Sequence, residues 1–68
     1  MKKVFKLQCT RIVNNDGSRI DPTDYVWEDM GCTFDLEWVA NLERIGRMKA
    51  QEGTGVNFKY IRVVTVCE

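Results

Sequence analysis

The segment 56–67, VNFKYIRVVTVC, is the feature that most limits what this chain can fold into. Its valines, isoleucine and aromatic residues are the types that favour a β-strand. Both parities carry apolar side chains, with Val64 and Val66 on one and Ile61 and Val63 on the other. A strand that is apolar on both faces is usually central in its sheet or carries a bulge that exchanges its faces. We therefore predict that this strand is central, or bulged midway.

An earlier strand is predicted over residues 3–13, KVFKLQCTRIV. Phe5, Leu7 and Cys9 alternate with polar residues, which is the period of two of a half-buried strand. The Asn-Asn-Asp-Gly sequence at 14–17 follows, and these residue types tolerate the left-handed backbone of tight turns. The chain is then expected to return antiparallel through residues 18–20.

Pro22 ends this return, because proline offers no N–H to a β-ladder. Residues 25–30 form a plausible second strand. The sequence leaves open whether segments 18–20 and 25–30 are one interrupted strand or two separate pieces.

A helix is predicted after Thr33, with Thr33 or Asp35 as the N-cap and Gly53 as the stop. Glu43 and Arg47 are spaced to form an i,i+4 ion pair. Gly46 lies at the edge of the apolar face, where close approach of helix to sheet would compensate for its low helix propensity. The face expected to pack on the core has residues three and four apart, namely Trp38, Val39, Leu42, Ile45 and Gly46.

The order of these elements predicts an α+β fold in a single domain, 1–68. The expected architecture is a three-stranded, mainly antiparallel sheet with one helix packed on one face, in the order ββαβ. Because one helix covers one face, part of the other face is expected to be exposed or covered by a second subunit, with Ile12, Ile61 and Val63 as candidates. A chain of 68 residues also builds only a small core, which raises the expectation of a homodimer or larger oligomer.

Composition excludes several classes of protein. The 10 basic and 10 acidic side chains give a net charge of zero, and therefore no long-range attraction to nucleic acid or anionic membrane. No apolar run approaches the ~20 residues that span a bilayer, and no secretory signal is visible. Cys9, Cys32 and Cys67 are odd in number and widely spaced, unlike a disulfide framework. We therefore expect a cytoplasmic protein with free thiols.

No catalytic, cofactor or metal-binding motif is present. The chain has no histidine, the usual general base near neutral pH. The three cysteines are more than twenty residues apart, whereas structural zinc sites show closely spaced ligand pairs. A placement of Cys9 near Cys67, both in predicted strands, is left open as a matter of packing. We expect a protein that is not an enzyme, needs no cofactor and binds no metal.

The segment 21–37 is strongly acidic, with six carboxylates and no Lys or Arg. Tyr25 and Trp27 lie within it, and both are residue types that anchor protein interfaces. A dense group of carboxylates suits a basic partner surface. The preferred hypothesis is a small regulator or inhibitor that binds a basic protein, with nucleic-acid-handling proteins as the candidate class of partner. The predicted partner-binding residues are Asp21, Asp24, Tyr25, Trp27, Glu28 and Asp29.

Two alternatives remain from the sequence. Cations and aromatics on strands are the parts of a single-strand nucleic-acid platform, here Lys6, Arg11, Lys59, Tyr60 and Arg62, although no known signature accompanies them. The other alternative is a homo-oligomeric structural protein joined through a sheet edge or face. In size and make-up the chain is similar to small accessory proteins of phages and other mobile elements, but no motif carries that likeness.

Overall fold

The computed structural model describes residues 2–67, which form one sheet and one α-helix. The strands pair in the order β2-β1-β3, and both pairings are antiparallel. This confirms the predicted α+β fold and the order ββαβ. The elements are β1 (Lys3–Arg11), a 3-10 helix (Pro22–Asp24), β2 (Glu28–Phe34), α1 (Glu37–Ala50), a second 3-10 helix (Gly55–Asn57) and β3 (Lys59–Cys67).

The central strand is β1, and β3 lies at the edge of the sheet. β1 and β3 pair without a shift of register, from Lys3 opposite Cys67 to Arg11 opposite Lys59. The prediction that the last strand is central or bulged is therefore wrong. Within residues 2–67, β3 has a neighbouring strand on one side only, although both of its faces carry apolar side chains.

The core lies between α1 and one face of the sheet, here called the inner face. Phe5, Leu7 and Cys9 from β1 meet Ala40 and Ile61 there, and Leu7 and Ala40 have no exposed surface. Partly buried side chains surround this group, namely Met30, Cys32, Phe34, Met48 and Val63. Ile61 and Val63 thus lie under the helix, and not on the uncovered face where the sequence suggested them. The uncovered side is called the outer face.

The helix is rotated relative to the prediction. Ala40 and Met48 face the core, whereas Trp38, Leu42 and Ile45 are 63%, 59% and 47% exposed. We call these three residues the helix stripe. The rotation is held by Gln51, whose side chain donates to the Lys59 carbonyl at 3.0 Å and accepts from the Lys59 N–H at 2.9 Å. The spacing of the apolar residues correctly identified one face of the helix. That face was predicted to pack on the core, but it is exposed to solvent.

The ends of α1 also differ from the prediction. Thr33 belongs to β2, and Asp35 lies 3.7 Å from the Lys2 ammonium. The N-cap is Leu36, which makes no side-chain capping bond, so neither predicted cap is used. The helix ends at Ala50, and Gly53 adopts a positive φ of 85° in the turn that follows.

Two further local predictions are resolved. The Glu43–Arg47 pair forms, with 3.0 Å between Arg47 Nε and Glu43 Oε1. The 14–17 turn also forms, with Gly17 at φ 89° and the Asn14 N–H bonded to the Ser18 carbonyl. The returning chain makes only an isolated bridge between Val13 and Arg19, and pairing with β1 resumes at Glu28. Segments 18–20 and 25–30 are therefore not one strand.

Pairing of β2 with β1 is interrupted at Gly31. Asp29 and Thr33 lie opposite Gln8 and Lys6, so three residues of β2 face Leu7 alone. Gly31 has a φ of 80°, in the left-handed region that glycine adopts at least cost. This arrangement is a β-bulge, which bends the strand and ends its regular ladder.

Alanine at two glycine positions should change stability in opposite directions. Gly46 is exposed, has ordinary helical φ, and a Cβ added there meets no atom within 4 Å. Gly46→Ala should therefore raise the free energy of unfolding by about 0.8–1 kcal/mol. Gly31→Ala adds the same methyl group in equally open space but at positive φ, and should lower the free energy of unfolding.

Urea denaturation followed by circular dichroism measures both variants. A loss of stability in Gly46→Ala would show that the helix needs close approach at this position after all.

Candidate functional site

A short capped turn begins the acidic segment. Asp21 Oδ1 accepts hydrogen bonds from the Thr23 N–H at 3.0 Å and from the Thr23 hydroxyl at 2.9 Å. Pro22 occupies the first position of the 3-10 helix, where its missing N–H is not needed. Asp21 therefore has a local structural role, and its carboxylate stays on the surface.

Residues 25–27 then cross the outer face, beginning with the extended backbone of Tyr25. The Val26 N–H donates to Thr10 Oγ1 at 3.2 Å, and Thr10 is only 3% exposed. This bond holds the crossing segment on β1. Val26 itself is 72% exposed.

The two aromatic rings of this segment form a stack with Arg62. The Trp27 and Tyr25 rings meet edge to face with centroids 6.1 Å apart, and the Arg62 guanidinium lies 3.9 Å from the Trp27 ring centroid. Arg62 also donates to Gln8 Oε1 from Nε at 3.1 Å and from Nη2 at 2.8 Å. Both rings are half-buried, so they support the segment and do not project freely into solvent.

The six carboxylates of the segment do not form one patch. Asp29 lies 3.5 Å from the Lys6 ammonium, Asp35 pairs with Lys2, and Glu37 lies in the first turn of α1. Within residues 2–67, the other three acids make no salt bridge, and all three are exposed: Asp21, Asp24 and Glu28. These three and Val26 form the surface that we call the Val26 surface.

Two cations lie close to the Val26 surface. Asp24, Val26 and Glu28 border a hollow of about 220 Å³ that Arg11 and Lys59 also line. Arg11 donates to Asn15 Oδ1 at 2.7 Å, which directs its guanidinium toward the 14–17 turn. The surface thus has exposed carboxylates around Val26 and basic groups on one side.

Hydrogen bonds lower the pKa of two carboxyls in this region. The pKa of Asp29 lies below its ordinary value of 3.8, mainly because the Gly31 N–H donates to it at 2.9 Å, and secondarily because Lys6 is adjacent. The pKa of Asp21 is lowered by the bonds from the Thr23 N–H and hydroxyl. Asp16 in the turn behaves similarly, since the Ser18 hydroxyl and N–H lower its pKa. Each bond favours the charged form.

The residues of the nucleic-acid alternative do not share a surface. Lys6, Tyr60 and Arg62 belong to the outer face, whereas Arg11 and Lys59 face each other on the opposite parity. Two of the outer-face cations are already engaged, Lys6 by Asp29 and Arg62 by Trp27 and Gln8. Tyr60 remains half exposed and unstacked among the described residues.

The cysteines lie apart from one another. Cys9 is buried opposite Ile61, whereas Cys67 is exposed opposite Lys3, so six residues, about 20 Å of strand, separate them along the sheet. The suggestion that Cys9 and Cys67 lie near one another is wrong. Over residues 2–67, no three His, Cys, Asp or Glu side chains are grouped so that they could hold a metal ion.

The sequence did not identify Val26 as an exposed residue of the candidate site, or Arg62 as the partner of Trp27. The alternation of Tyr25, Val26 and Trp27 contained a signal for Val26, because two rings held against a sheet direct the residue between them outward. No pattern in the sequence links Trp27 to Arg62, since the two are 35 positions apart and meet only through the sheet.

Comparison with known protein families, with curated proteins and with solved structures gave no significant match to this chain. Within the described part of the chain, α1 is too short and too polar to cross a membrane.

Removal of the Arg62 guanidinium should loosen the crossing segment. Arg62→Ala deletes the contact with the Trp27 ring and both bonds to Gln8, and should lower the free energy of unfolding by about 1 kcal/mol. Arg62→Lys keeps the charge but loses the planar stack, and should give an intermediate loss. Arg19→Ala is the control, because Arg19 is exposed and its side chain makes no hydrogen bond within residues 2–67.

Urea denaturation measures the free energy of unfolding of the three variants. Equal values for Arg62→Ala and Arg19→Ala would contradict a stabilising role of the stack.

Acidification should destabilise the fold below about pH 4. The pKa values of Asp16, Asp21 and Asp29 are lower in the folded than in the unfolded state, so the unfolded state binds more protons as the pH falls. Their contribution is therefore present above pH 3.8 and is lost as the pH drops through the folded values. Asp29→Asn keeps an acceptor for the Gly31 N–H but cannot titrate, so its stability should depend less steeply on pH.

The measurement is the urea midpoint between pH 2 and pH 6. Glu52→Gln, which removes an exposed carboxyl that makes no salt bridge within residues 2–67, serves as the control, and Asp29→Asn should depend less steeply on pH than this variant does. An unchanged slope in Asp29→Asn would contradict the assignment.

Proposed function

We propose that this protein is a small, non-catalytic protein-interaction module that binds a basic surface of another protein through the Val26 surface. The observation that carries the proposal is Val26 itself, an exposed apolar side chain held between two exposed carboxylates, Asp24 and Glu28. Protein interfaces combine an apolar centre with a polar rim in this way. The concrete role is that of a cytoplasmic regulator or inhibitor.

The rigidity of the segment supports this proposal. The Val26 N–H is tied to Thr10, and the rings on either side are packed against each other and against Arg62. A preformed segment loses little conformational entropy when a partner binds, which leaves more of the contact energy for affinity. Tyr25 and Trp27 therefore act as supports of the binding segment, while Asp24, Val26 and Glu28 make the contact.

Charge supports the choice of a basic partner. Asp21, Asp24 and Glu28 have no salt-bridge partner within residues 2–67, so their field is available to a second molecule. Asp29 contributes less, because Lys6 already lies beside it. Complementary charge raises the rate of association and selects the partner more than it raises affinity.

A nucleic-acid-binding module receives less support. The five residues required for it are divided between the two faces of the sheet, and Lys6 and Arg62 are engaged by groups of the same chain. A phosphate backbone approaching the outer face would also meet Asp29.

Charge reversal at the Val26 surface tests the proposal. The protein, immobilised, is used to capture proteins from a cell lysate, and Asp24→Lys/Glu28→Lys is compared with the parent. The double variant should reduce recovery of the captured protein by about tenfold or more, since removal of close interfacial charge pairs costs at least about 1.5 kcal/mol. Fluorescence anisotropy with a single-stranded oligonucleotide at low salt tests the nucleic-acid alternative in parallel.

The matched control is Glu43→Lys/Glu52→Lys, which changes net charge equally but on and just after the helix. It should capture the same protein as the parent. Equal loss in both double variants would attribute capture to net charge alone and contradict a specific Val26 surface. Salt-dependent oligonucleotide binding by the parent would favour the alternative function.

A further inference from the structure

The outer edge of β3 is long, regular and weakly protected. Its nine residues pair with β1 on one side, and no strand of the described chain pairs with the other side. Exposed edges normally carry charges, proline or a bulge that prevent pairing with another chain. β3 has cations only at Lys59 and Arg62, and residues 63–66 are Val-Val-Thr-Val. This edge is therefore suited to pairing.

A groove of about 410 Å³ runs along this edge. Its lining from β3 includes residues of both parities, so it lies where the two faces of the strand meet, at the outer edge. The groove residues are Glu37, Asn41 and Arg44 from α1, and Tyr60, Ile61, Arg62, Val63 and Thr65 from β3. One flank of the helix thus borders the open edge directly.

The helix stripe lies on the same flank. Each of its residues, Trp38, Leu42 and Ile45, follows a groove residue by one position. Arg47 and Ala50 border a different hollow, beside Cys9 and Met30, and so define the opposite flank of α1. Successive helix residues are about 100° apart, so the stripe lies next to the groove residues, on the side of α1 that is turned further from the sheet. The stripe and the unpaired edge of β3 are therefore neighbouring parts of one surface.

The middle of α1 also lies over the middle of β3. Gln51 fixes the end of α1 at Lys59, the start of β3. Asn41 is ten residues before Gln51, about 15 Å along the helix. Val63 is four residues after Lys59, about 13 Å along the strand. Because α1 runs antiparallel to β3, Asn41 lies approximately above Val63.

We propose that two copies of this chain form a two-fold symmetric dimer through this surface. An axis through Val63 pairs two β3 strands antiparallel, and the same axis passes between the two helices near Asn41. The two sheets join into a single six-stranded sheet, and the two helices lie side by side on its inner face. The dimer uses a surface other than the Val26 surface and does not depend on the partner proposed above.

The side chains are self-complementary under this symmetry. Antiparallel helices related by an axis near Asn41 place Trp38 of one copy against Ile45 of the second, with the two Leu42 side chains at the centre. Glu37 of one copy then meets Arg44 of the second. Neither Glu37 nor Arg44 makes a salt bridge within residues 2–67, so this pairing uses charges left unmatched in the single chain.

The proportions of the chain support a second copy as the occupant. Its radius of gyration is 13.2 Å, whereas a compact domain of this length has about 11 Å. A standard interface covers about 800 Å² on each partner. That is about a sixth of the 4861 Å² exposed by the single chain.

Sedimentation equilibrium of the full chain tests the dimer. The parent protein should sediment as a dimer, and Leu42→Asp should raise the dissociation constant by about 30-fold or more. The matched control is Val26→Asp, which places the same charge at a similarly exposed valine away from the stripe and should remain dimeric. A parent protein that stays monomeric at millimolar concentration would overturn the proposal.

A charge-swap series tests the geometry even if Leu42→Asp fails to fold. Glu37→Lys and Arg44→Glu should each weaken the dimer, because each places like charges together across the axis. The double variant Glu37→Lys/Arg44→Glu restores opposite charges and should recover the dimer. If the double variant is weaker than both single variants, the antiparallel arrangement of helices is wrong.

Hydrogen exchange tests the pairing of strands. In the dimer, every amide of β3 should be protected, because both edges of the strand are bonded. In dissociated Leu42→Asp, alternate β3 amides should exchange rapidly while the others stay bonded to β1. Rapid exchange of alternate β3 amides in a dimeric parent protein would overturn pairing through this edge.

Discussion

A fourteen-residue helix covers only one side of a three-stranded sheet, and the rest of the structure follows from this limit. The core holds few fully buried apolar residues, centred on Leu7 and Ala40. Over residues 2–67, no second layer of secondary structure covers the outer face. It is covered in part by the crossing segment 25–27, which replaces a packed layer with one backbone bond to Thr10 and a stack of two rings on Arg62.

The elements of the fold were predictable from local patterns. Alternation in β1, turn residues at 14–17 and helical spacing after residue 36 each act over a few positions, and each produced the expected element. The rotation of α1 was not predictable in this way. Trp38, Leu42 and Ile45 have the spacing of a core-facing stripe, and spacing alone does not say whether the core belongs to the same chain. The small side chain of Ala40 and the bonds of Gln51 decide the orientation.

The candidate site was predictable only in its composition. The acidic residues and the two rings were identified from the sequence. Which acids are paired was not, because Lys2, just before β1, and Lys6, within β1, approach Asp35 and Asp29 from a distant part of the chain. The same holds for Arg62, which was assigned to a phosphate-binding surface and instead supports Trp27. Long-range pairings across a sheet decide which charges remain available, and no local pattern encodes them.

The bulge at Gly31 makes the two edges of the sheet unequal. On the β2 side the ladder is broken, the strand is short, and Glu28 and Asp29 place charges along it. The β3 side is straight and uninterrupted. A sheet with two such open edges adds copies without end and grows into a fibre, whereas a sheet with one is saturated after a single addition. In the proposed dimer, the irregularity in β2 is therefore what limits growth to two copies.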